Sequence, residues 1–113
     1  MNIDNLFNRK HDRANYNCAH FAEEVWHQLT GQVIKLQIIE VTGAKPELRK
    51  QFRRASSSEY PRIIIMRSKN RPTHVAVAIA RDHVAHIQSS GVTCLPMYLV
   101  TLGYSHVWHY VPC

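Results

Sequence analysis

The chain has 113 residues, with 14 Lys+Arg against 8 Asp+Glu for a formal charge of +6, and 45% of it is hydrophobic. That composition suits one globular core and is too apolar for a disordered chain, while the length leaves little room for a second domain. No apolar run approaches the ~18–20 residues of a membrane span, and the stretch from Met1 to Lys10 lacks the apolar core of a cleaved secretory leader. The expectation is a single domain over residues 1–113, without a membrane span, that works in the cytosol or leaves by a route needing no leader.

Residues 1–15 are polar, without sustained periodicity, and read as an N-terminal arm with at most a turn of helix. From Tyr16 to Gly31 the apolar positions 18, 21/22, 25 and 29 recur at three-to-four-residue spacing, one face of an amphipathic helix. Asn15 or Asn17 can cap it and Gly31 is a natural stop. Residues 32–41 read as a short strand or extended connection. The spacing of Leu48, Phe52 and Ala55 after Pro46 predicts a second helix over 46–55. Beyond Tyr60 the pattern turns to β: Arg62–Arg67, His74–Ala80, Val84–Gln88, Val92–Leu95 and Ser105–Val111 read as strands, and Arg81-Asp82 marks a tight turn. The segment 96–104 carries no clear pattern. Helices followed by a meander of strands predict an α+β fold, with the N-terminal helices on one side of a small antiparallel sheet.

Three cysteines, Cys18, Cys94 and Cys113, are too few and odd in number for a disulfide framework. Cys18 falls where a helix begins, and there the unpaired amides and the positive end of the helix dipole favour a thiolate. Those amides can also donate to a developing oxyanion. A base is still needed. His74 opens a strand after a loop, and His86 lies on the next strand. A hairpin about Arg81-Asp82 brings the two imidazoles together. Nucleophile, base and a third group orienting the base make up the logic of a catalytic triad, which Cys18, His74 and His86 satisfy. Gln88, two positions from His86 and on the same strand face, is the rival third member.

The segment Tyr16-Asn17-Cys18-Ala19-His20-Phe21, followed by a helix, resembles the nucleophile motif of NlpC/P60 cysteine peptidases. The stretch His74–Val92 resembles that family's second motif: a strand-opening His, a small-and-apolar run, a turn, then a second His before a Ser-rich turn. The resemblance implies a papain-like core, a thiol peptidase without cofactor or metal, and cleavage of peptidoglycan stem peptides. Cys18 then matches the nucleophile, His74 the base and His86 the polar third member. Tyr16, Asn17, Ala19, His20 and Gln88 fall where substrate contacts are expected. Many members have Asp before the Cys and Ser after it to hold a substrate amine; Asn17 and Ala19 stand there here. Asn-Cys-x-His-Phe is also similar to the nucleophile motif of lecithin:retinol acyltransferase-like proteins; there the His segment precedes the Cys, whereas here it follows. The small size resembles phage-encoded members, which implies tail or baseplate proteins as partners, and a virion or host-cytoplasm location with action on the periplasmic wall after delivery.

Other readings compete. An acyltransferase on the same core would also form a thioester. A non-catalytic basic structural or nucleic-acid-binding module would use the cluster Lys45, Arg49, Lys50, Arg53, Arg54, Arg62, Arg67, Lys69 and Arg71. That span holds only Phe52 and Tyr60 as aromatics and no nucleic-acid motif, so it reads as a solvated face that helps hold an anionic wall. His83-x-x-His86 and His106-x-x-His109 invite a zinc site, yet residues three apart on a strand point to opposite faces. His20 and His27 share the Cys18 helix.

Overall fold

The computed structural model describes residues 3–12, 16–36, 51–56 and 58–113. Among the described residues, helix α1 (Cys18–Thr30) is followed by six strands: β1 (Phe52–Arg54), β2 (Arg62–Ser68), β3 (Arg71–Ala80), β4 (His83–Gln88), β5 (Gly91–Leu95) and β6 (His106–Pro112). A four-residue helix, α2 (Met97–Val100), links β5 to β6. The strands form one antiparallel sheet in the order β1-β6-β2-β3-β4-β5.

α1 forms where its periodicity places it. Asn17 Oδ1 accepts from the Ala19 and His20 amides at 3.0 and 3.2 Å, and the His20 Nδ1 accepts from the Asn17 amide at 3.2 Å. This is a capping box with imidazole in the place usually taken by Glu or Gln. At the other end Gly31 adopts φ 76°, a left-handed conformation that costs a residue with Cβ more than glycine. The helix buries Cys18, Ala19, Phe21, Ala22, Val25 and Trp26 against β3 and β4.

Strand alternation divides the core in two. Ile63, Ile65, Val75, Val77, Ala85 and Ile87 pack under α1, whereas Ile64, Met66, Ala76, Ala78 and Val84 face the other way, toward Val100 of α2. β2 and β3 are buried on both faces, which is why their sequences are continuous apolar runs.

Three expectations are revised. Residues 52–54 are a strand, not the end of a helix, because Phe52–Arg54 pairs with Tyr110–Pro112; positions 46–50 of the expected helix lie outside the described residues. Of the two readings of 32–41, residues 32–36 form no strand and so fit the connection, while 37–41 lie outside the described residues. The N-terminal arm is partly core: a 3-10 turn at Asp4–Leu6 sinks Ile3 and Leu6 beneath α1. The helices also do not all lie on one side, since α2 covers the face opposite α1.

Candidate active site

The β3–β4 hairpin turns at Arg81-Asp82, and its ladder runs from Ala80↔His83 to Val77↔Ala85. His74 alternates with Val75 and Val77, and His86 with Ala85 and Ile87, so both imidazoles lie on the face opposite α1, the side of Ala76, Ala78 and Val84. There they meet: His74 Nε2 lies 3.0 Å from His86 Nδ1, with the rings edge-to-face at 75°. His86 is 2% exposed. Gln88 is exposed at the end of β4, so the buried partner of His74 is His86.

Two further side chains, not anticipated from sequence, build this corner. Tyr104 stacks on His74 with ring centroids 6.2 Å apart at 10°. Arg71 lies 4.0 Å over the Tyr104 ring and donates through Nη1 to the Leu102 carbonyl at 3.1 Å. Between them Gly103 has φ 85°, a left-handed conformation that favours glycine, and a Cβ there would meet Arg71 Nη1 at 2.7 Å and push the guanidinium tip aside. No short-range pattern announces these contacts, because Tyr104 is thirty residues from its ring partner in a segment without periodicity.

Cys18 is buried at the first position of α1, in the core beneath the helix. Burial pushes up the pKa of the Tyr104 hydroxyl, and the Arg71 guanidinium opposes it. Burial, then the charges of His86, Arg71 and His11, lowers the His74 pKa to about 4. Burial lowers that of His86 as well. Both rings are therefore neutral at pH 7, and His74 with its Nε2 engaged by His86 presents Nδ1 as the remaining ring nitrogen. When His74 Nε2 donates, His86 holds its own proton on Nε2; that atom and Thr93 Oγ1, on the residue paired with His86 across β4–β5, are buried without hydrogen-bond partners among the described residues.

The expected substrate contacts fare differently. Tyr16 donates its hydroxyl to Glu24, whose carboxylate is held below the usual range by its hydrogen bond to Arg9, so the phenol is not on offer to an oxyanion. Asn17 caps α1, and His20 closes the cap and stacks on Tyr16. Ala19 is fully buried and cannot touch substrate. The Ala19 and His20 amides are occupied by Asn17 Oδ1, which corrects the expectation that they hold an oxyanion.

Of the histidines read as zinc candidates, His83 is exposed while His86 is buried, and His109 Nδ1 accepts from Arg62 Nε at 2.9 Å. Among the described residues no cluster of three or more His, Cys, Asp or Glu is placed to hold a metal. Arg62, expected on a solvated face, is only 6% exposed, with its guanidinium over the Tyr60 ring. All three cysteines are free thiols. Compared with models of known protein families, with curated proteins and with solved structures, the chain has no match.

Proposed function

We propose that the chain is a cysteine peptidase of NlpC/P60 type that cleaves peptidoglycan stem peptides through Cys18, His74 and His86. The observation that carries this reading is the buried His74 Nε2–His86 Nδ1 hydrogen bond of 3.0 Å. An imidazole oriented by a second imidazole, together with a cysteine at a capped helix start, supplies the residue types a thiol peptidase needs.

In this reading His74 Nδ1 takes the thiol proton as Cys18 Sγ attacks the carbonyl carbon. The tetrahedral intermediate expels the amine, which receives that proton from His74, and a thioester remains. Water, deprotonated by His74, attacks the thioester; the acid leaves and the proton returns to the thiol. His86 fixes the His74 ring and spreads the charge it gains. Because both rings are neutral at rest, proton transfer accompanies attack rather than preceding it. The papain-like core, the phage tail or baseplate setting and delivery to the periplasmic wall rest on the motif resemblance. No helix among the described residues is long and apolar enough to cross a membrane.

The test is digestion of purified peptidoglycan by wild type and Cys18→Ala, with fragments identified by mass. Wild type should release stem-peptide fragments with a new amino terminus, and Cys18→Ala should be slower by about a thousandfold or more. Equal digestion by both, or fragments from neither, overturns the reading in favour of a non-catalytic module.

A further inference from the structure

A recess separate from the imidazole pair lies on the α1 side of the sheet, where β2 ends and β6 begins. It encloses about 300 Å³ and is lined by Arg67, Ser68, Lys69, Ser105, His106 and Trp108. Arg67 stands opposite His106 and Ile65 opposite Trp108, so alternation sets Arg67, His106 and Trp108 on one face. The His106 ring lies parallel to the Trp108 indole, centroids 5.5 Å apart at 14°. Ser105 Oγ lies 3.3 Å from the Arg67 carbonyl and 3.0 Å from His106 Nδ1, which steadies that platform.

The cations here differ from their neighbours. Arg9 and Arg53 are paired with Glu24 and Glu59, while Arg62 and Arg71 lie over tyrosine rings and bond to His109 and to the Leu102 carbonyl. Arg67 and Lys69 are exposed and have no carboxylate partner among the described residues. A guanidinium and an ammonium without counter-charge, next to a flat aromatic surface, suit an anion carried on a ring or an aliphatic chain.

We propose that this recess is a binding subsite for a carboxylate-bearing glycopeptide, with the acidic group between Arg67 and Lys69 and the sugar or aliphatic portion on the His106–Trp108 platform. The identity of the ligand rests on the peptidase reading above; the recess itself does not. It takes one anionic group on one platform, unlike the extended groove with successive stacking aromatics that a nucleic-acid strand requires.

The test titrates Cys18→Ala protein, which does not turn over, with a disaccharide-tetrapeptide and with the same molecule amidated at its free carboxylates, by calorimetry. The acid form should bind about tenfold or more tightly than the amide, and Arg67→Glu with Lys69→Glu should remove that preference. Both side chains are exposed, so circular dichroism should show the double variant folded. In the active protein the same pair should raise KM more than it lowers kcat. Equal binding of acid and amide, an unchanged preference in the double variant, or tighter binding of an oligothymidylate of equal charge overturns the proposal. If Cys18→Ala digests peptidoglycan as wild type does, the peptidase reading falls while the calorimetric result still decides the subsite. If digestion depends on Cys18 but the charge reversals change nothing, only the subsite falls.

Discussion

The His74 imidazole, pulled down to about 4 by burial and by the charges of His86, Arg71 and His11, gives the proposed reaction a pH dependence of definite sign. The base form exists above that value, so kcat/KM should hold from neutral pH to about 5 and fall as pH drops through about 4. A pH–rate profile reads this directly, and an acid limb near the ordinary histidine value of about 6.5 would show His74 to be solvated. His86→Ala should lower kcat about 10–100-fold with little change in KM, because it disorders the base without touching substrate; steady-state kinetics separates the two. The pairing of His74 with His86 was readable from the sequence, since a tight turn between two strands puts a fixed number of residues on each arm. Tyr104 and Arg71 were not, because a stacked ring and a guanidinium laid over it leave no local trace in the order of residues.

At the scale of elements, α1 was legible because each of its signals is local: an amide-capping Asn, a 3.6-residue apolar period and a glycine stop. Asn17→Ala removes the acceptor of two backbone amides and should cost about 1 kcal/mol, measured as a lower denaturant midpoint at unchanged slope. The same variant frees the Ala19 and His20 amides beside the nucleophile. β1 shows the opposite case. The apolar spacing around Phe52 satisfies a helix, and three residues are too few for alternation to argue against it. What makes them a strand is β6, which arrives from the far end of the chain to pair with them. The substrate contact expected at Ala19 fails for a related reason: adjacency to Cys18 in sequence becomes a different direction around a helix, here into the core.

Over the whole molecule the depressed His74 pKa is also a statement about stability. The unfolded chain binds this proton near pH 6.5 and the folded one only near 4, so the unfolded state is protonated first as pH falls. The associated stability is complete above about 6.5, declines as pH drops toward about 4, and has gone below that; for His74 alone the change is roughly 3 kcal/mol. His86 shifts in the same direction. Denaturant midpoints measured at pH 7, 5.5 and 4 should fall in that order, and the decline should shrink in His74→Gln.

The sequence by itself determined α1 and its caps, the five strands beyond Tyr60, the turn at Arg81-Asp82 and the meeting of His74 with His86. All of these depend on interactions between residues near one another along the chain. Only the tertiary structure decided that β6 inserts between β1 and β2, that α2 covers the second face, and that Tyr104 lies against His74. Strand pairing and ring stacking between distant segments are chosen by which surfaces bury together, and that choice belongs to the folded chain as a whole.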